Sequence, residues 1–203
     1  MRTKIINDNG ENPVFLLIGE ENADTYLQAS TKFAYVTVYD FDWNGCLSPW
    51  FAEKVFRKGE DFGGEADQFL EELMPVLQNY EGRDIYICGY SLAGLFALYA
   101  SEQTNFFAGC ASVSGSLWYP NWLDYLVDHP VHAGTVYLSL GDREKNSKSP
   151  IMSRVEECTL KAAEIIGLYA DVYFELNNGG HFGMAEERIK KAVKWLAKSI
   201  ATE

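Results

Sequence analysis

Ile85-Tyr86-Ile87-Cys88-Gly89-Tyr90-Ser91-Leu92-Ala93-Gly94-Leu95 is the stretch that decides the fold. Four apolar or aromatic residues precede Gly89, and Leu92 to Ala100 is almost wholly apolar. A buried strand therefore runs straight into Gly-x-Ser-x-Gly, and a buried helix follows at once. That is the context of a nucleophile elbow, with a serine at the apex of a tight strand-to-helix turn. Gly89 and Gly94 lack Cβ atoms, so strand and helix can approach closely. Ser91 is the expected nucleophile. The backbone N–H of Leu92, at the start of the helix, is the expected first donor to an oxyanion.

Outward from the elbow, strand-like and helix-like segments alternate. Short runs rich in β-branched and aromatic residues predict strands over Val14–Ile18, Phe33–Tyr39, Asp84–Cys88, Phe107–Val113, Thr135–Leu140 and Asp171–Leu176. Helices are expected over Ala23–Ser30, Glu65–Tyr80, Leu92–Ser101, Asn121–Val127, Ile151–Leu168 and Ala185–Ile200. Residues 40–64 read as loop. The alternation predicts one α/β domain over residues 1–203, a mostly parallel sheet with helices on both faces and little or no lid. Chemistry in such sheets gathers at the carboxyl ends of the strands.

Three kinds of reactive residue fall there. Ser91 follows the Asp84–Cys88 strand. Asp142 and Glu144 follow the Thr135–Leu140 strand. His181 follows the Asp171–Leu176 strand, in Asn177-Asn178-Gly179-Gly180-His181-Phe182-Gly183. Nucleophile, acid and base thus appear in the chain order of the α/β-hydrolase arrangement. A free serine is a weak nucleophile and needs a base in hydrogen-bond reach, and that base needs a carboxylate to fix its tautomer. Glu144 is the preferred acid, with Asp142 as the alternative. His129 and His132 would break the order and read as loop and surface residues. The second oxyanion donor is expected in the loop after the first strand, at the N–H of Gly19 or Glu20.

Two aromatic segments also follow strands: Asp42-Trp43-Asn44 through Phe51, and Ser114 through Leu117-Trp118 to Trp122. Trp43, Asn44 and Trp118 are candidate substrate walls. An equally open reading makes the tryptophans core cover or an oligomer interface, hence a possible homo-oligomer.

The formal net charge of −12 repels phosphate backbones and argues against nucleic acid as a partner. No run approaches a membrane span, and the start of the chain carries no signal-peptide pattern. The four scattered cysteines read as reduced core thiols, and a cytoplasmic location is expected.

The elbow through Leu95-Phe96-Ala97-Leu98-Tyr99, Ser114-Gly115-Ser116-Leu117-Trp118, Leu138-Ser139-Leu140-Gly141-Asp142-Arg143-Glu144 and Gly179-Gly180-His181-Phe182 together resemble the esterase family of α/β-hydrolases that includes esterase D-like and enterochelin esterase-like proteins. The resemblance spans about Val14 to Leu196. It implies a serine esterase with Ser91 as nucleophile, His181 as base and the Glu144 region as acid, using no metal or cofactor. Without a lid insertion between the Val113 and Thr135 strands, a small ester is the expected substrate. Acyl transfer or thioester cleavage by the same residues is the alternative, or a non-catalytic binding protein on the same fold.

Overall fold

Seven strands form one sheet in the order β1-β3-β2-β4-β5-β6-β7. The computed structural model describes residues 1–23, 27, 32–55 and 58–200. The strands are β1 (Arg2–Ile6), β2 (Val14–Ile18), β3 (Ala34–Tyr39), β4 (Ile85–Tyr90), β5 (Phe107–Val113), β6 (Thr135–Gly141) and β7 (Asp171–Asn177). Every neighbouring pair is parallel except β1 with β3. The helices are α1 (Trp43–Cys46), α2 (Ala66–Gln78), α3 (Leu92–Gln103), α4 (Trp122–Asp128), α5 (Val155–Ile166) and α6 (Ala185–Ile200). This is the mostly parallel α/β architecture that the alternating pattern predicts.

The sheet is apolar on both faces because alternate residues of each central strand point opposite ways. Leu16, Val36, Ile87 and Leu138 pack with α2, α3, α4 and α5 on one side. Phe15, Leu17, Tyr35, Tyr86, Cys88 and Tyr137 pack with Ala192, Val193 and Leu196 of α6 on the other. Cys88 and Cys110 are buried free thiols, and burial pushes the Cys110 thiol up to about 12.

Three features depart from the sequence reading. β1 is absent from the expected strands: its residues are mostly exposed, with Ile5 51% accessible, so it carries little of the apolar signature that marks the inner strands. A one-turn helix, α1, interrupts the expected 40–64 loop. It is capped by the Asp42 side chain, which accepts from the Asn44 N–H, and four residues are too few for a helical period to register. The 151–168 segment begins with a 3₁₀ turn, Met152–Arg154, before α5 takes over. The helix expected over Ala23–Ser30 falls mostly outside the described residues. Among the described residues, no helix is long and apolar enough to cross a membrane.

Candidate active site

β4 ends at Tyr90 and α3 begins at Leu92, so Ser91 makes the whole turn alone. Its backbone sits at φ 61°, ψ −122°. Such a conformation costs a non-glycine residue roughly 1–3 kcal/mol and persists only where the surroundings over-determine it. They do so here. The Ser91 N–H donates to Val113 O (3.0 Å), and the Ser91 carbonyl accepts from Gly94 and Ser116 N–H (3.0 Å each). A Cβ on Gly89 would lie 2.0 Å from the Ala93 carbonyl oxygen, and one on Gly94 would lie 2.9 Å from Ser112 Oγ. The two glycines are therefore steric requirements of the turn.

The turn delivers Ser91 Oγ to His181. Oγ lies 3.0 Å from His181 Nε2, and His181 Nδ1 lies 2.8 Å from Glu144 Oε2. The three residues come from the carboxyl ends of β4, β6 and β7, with β5 between the first two, as the carboxyl-end rule requires. Of the two candidate acids, the structure brings Glu144 to the histidine. Asp142 instead accepts the Gly179 N–H through Oδ1 (2.8 Å), fastening the histidine loop to the β6 turn.

Glu144 is buried, with 3% of its side chain accessible. Oε1 accepts from the Gly141 N–H and from Arg188 Nη1, both at 2.7 Å. Burial pushes the carboxyl up, but the bonds from His181 and the Gly141 N–H outweigh it and hold the group below its ordinary value. Glu144 is thus ionised and oriented, the state in which a carboxylate can fix an imidazole tautomer. His181 itself is 18% accessible and is steadied by Tyr90, whose hydroxyl donates to the His181 carbonyl.

Arg188 is the residue that sequence reasoning missed. It is 1% accessible and stands on the inward face of α6. The available signal was positional: Arg188 lies four and eight residues before Ala192 and Leu196, on the stripe that packs against the sheet. A charge at an apolar position calls for a buried partner.

The two oxyanion candidates fare differently. Leu92 opens α3, so its N–H has no intrahelical acceptor. The Gly19 N–H, in contrast, donates to Val38 O at 3.1 Å, continuing the β2–β3 ladder, which removes it as a donor to substrate. Ile18 pairs with Gly89 in the parallel register. Glu20, the other residue of that expectation, follows Gly19 in the loop after β2 and lines a pocket with Tyr90.

The tryptophans divide. Trp118 lines a cleft of about 370 Å³ with Arg143, Lys148, Met152, His181 and Phe182. Trp43 lines a smaller pocket on the β2 side of the elbow with Gly19, Glu20 and Tyr90. Trp122 is fully buried, and Trp50 packs on it and on Tyr119 and Tyr125, so these two are core. Asn44, expected as a substrate wall, bonds instead to Asp42, Ser48, Glu60 and Gly63 of its own loop, which it braces. His129 stacks on Tyr125 and bonds its carbonyl, and His132 is exposed; neither reaches the site. Among the described residues no group of three or more His, Cys, Asp or Glu is placed to hold a metal ion.

No protein-family model and no curated protein matches the sequence. Solved structures do match. An IroE-like serine hydrolase from Shewanella oneidensis superposes with a TM-score of 0.78 at 16% identity, over 97% of this chain and 75% of that one. The siderophore hydrolase EstA from Aspergillus nidulans gives 0.66 at 16% identity, over 94% and 84%. Acyl-protein thioesterase 2 of Zea mays gives 0.61 at 14% identity, over 97% and 98%. The chain has the α/β-hydrolase fold. The neighbours include proteins of the kind the sequence resembles, and at these identities the likeness is one of fold.

Proposed function

We propose that the protein is a serine hydrolase that cleaves a carboxylic ester of a small organic substrate. The observation that carries this reading is the unbroken relay from Ser91 Oγ to His181 Nε2 (3.0 Å) and from His181 Nδ1 to Glu144 Oε2 (2.8 Å). Ser91 Oγ attacks the ester carbonyl carbon while His181 takes its proton. The carbonyl oxygen, now negative, rests on the N–H groups of Leu92 and Glu20. The intermediate collapses as His181 passes the proton to the departing alcohol, leaving an acyl group on Ser91. Water, deprotonated by His181, attacks that acyl group, releases the carboxylic acid and restores the serine.

Trp118 and Trp43 supply apolar walls on either side of the elbow, with Met152 and Phe182 beside Trp118 and Arg143 and Lys148 adding positive charge to its cleft. A cleft of this size and mixed lining suits a small ester. The same relay can open a thioester or pass the acyl group to an alcohol, and matched oxygen and thiol esters distinguish these cases.

The test is intact-mass spectrometry after a fluorophosphonate probe, on the wild type and on Ser91→Ala. One adduct, absent in the variant, together with turnover of short esters supports the proposal. A folded wild type that takes no adduct and turns over no ester overturns it in favour of a binding protein.

A further inference from the structure

Three loops and the end of β4 converge on one guanidinium. Arg188 Nη1 donates to Glu144 Oε1 (2.7 Å), in the turn after β6, and to Ser114 Oγ (2.8 Å), in the loop after β5. Nη2 donates to the carbonyls of Asn178 (3.2 Å) and Gly180 (2.9 Å), in the loop after β7 that carries His181. Nη1 also lies 3.5 Å from the Tyr90 hydroxyl, at the end of β4. The surroundings are shaped to this group. A Cβ on Gly141 would stand 2.5 Å from Nη2. Ser114 holds φ 48°, a strained value for serine, with its hydroxyl turned to Nη1.

We propose that Arg188 is the positioning residue of the relay: it fixes the spacing between acid and base, and its positive charge balances the buried Glu144 carboxylate. The inference rests on the ester-hydrolase reading above. The positional half follows from connectivity, since one rigid fork holds both the acid and the loop of the base. The electrostatic half follows from charge. Glu144 and neutral His181 together carry one negative charge, and Arg188 offsets it. Without that cation the pair binds a proton at higher pH, whichever member holds it, because a buried anion without a counter-charge favours protonation. A protonated pair cannot accept the Ser91 proton.

The other charged or titratable groups around the pair remain in place when Arg188 is replaced. Tyr90 faces it from β4. Asp142 and Arg143 lie in the β6 turn, and Lys148 lines the cleft beyond them. Lys191, one turn further along α6, bonds Glu175 and Asn177.

The experiment compares wild type, Arg188→Met and Arg188→Lys by the pH profile of kcat/KM for a short ester and by proton NMR titration of the His181 ring. Arg188→Met should move the acid limb and the His181 titration to higher pH by about one unit, as loss of a neighbouring opposite charge does. Arg188→Lys keeps the charge but cannot span the same acceptors. It should leave the limb near that of the wild type and lower kcat about tenfold or more, with KM little changed, as loss of precise alignment does. A folded Arg188→Met whose acid limb and ring titration both stay in place overturns the electrostatic role. An Arg188→Lys with wild-type kcat overturns the positional role, and decides the matter if Arg188→Met does not fold. The two proposals fail separately. A wild type that hydrolyses no ester removes the enzyme reading, while the NMR titration still reports whether Arg188 governs proton uptake at Glu144 and His181.

Discussion

Single side chains divide the labour of the site in ways that substitutions can read. Glu144→Gln keeps the shape but loses the ionised oxygen that faces His181 Nδ1, and kcat should fall roughly 10⁴-fold, as it does when a relay carboxylate is neutralised. Asp142→Asn keeps an oxygen for the Gly179 N–H and should cost far less. Steady-state kinetics on the two variants checks the assignment, and equal small losses would mean a serine–histidine pair acting without an acid. Trp118→Ala removes a wall of the cleft without touching the relay. Its expected effect is a raised KM for aromatic esters with the rate of fluorophosphonate labelling kept. Equal effects on both would put Trp118 in the fold rather than in substrate binding.

The elbow is where local sequence dictates an element most tightly. Gly89→Ala would drive a methyl group into the Ala93 carbonyl at 2.0 Å, so β4 and α3 would have to part. The expected cost is about 1–3 kcal/mol or more, the range for overpacking, read as a lower urea midpoint and slower probe labelling. A wild-type midpoint would mean that the turn relaxes freely. Legibility follows the same physics. The elbow, the inner strands and the amphipathic helices carry periodic apolar signals, so Ser91, His181 and the Glu144 region could be read directly. β1 could not, because an edge strand with Arg2, Thr3 and Ile5 exposed has little to bury. The Gly19 N–H reads as a free donor in the sequence but is taken by the Val38 carbonyl, since backbone partners leave no trace in side-chain pattern. Trp122 and Trp43 look alike in sequence and separate only once α4 turns one ring inward. Arg188 was hidden for a related reason: on a helix opened by Glu186 and Glu187 and rich in lysine, one more cation passes for a solvated one.

At the scale of the molecule, the relay is also a stability element with a pH signature. Glu144 ionises more readily in the folded chain than its ordinary value of 4.5. Its contribution is therefore present above about pH 4.5 and is lost as the pH falls through the lower folded value. Thermal unfolding of the wild type should lose midpoint temperature below that point, and Glu144→Gln should show a shallower acid slope. Parallel slopes would show that other carboxylates carry the acid sensitivity.

The convergence of three loops and the end of β4 on α6 bears on how the molecule comes into being during synthesis. Chains leave the ribosome amino end first, and β4, β5, β6 and β7 are all made before Arg188 is joined. The serine turn can form early and Asp142 can tie the histidine loop to the β6 turn, yet the guanidinium that joins Glu144 to that loop arrives only with α6. A nascent chain, or a fragment ending before Arg188, would thus hold Ser91, Glu144 and His181 without the cation that we propose aligns them, and its expected rate on a short ester is lower by about tenfold or more.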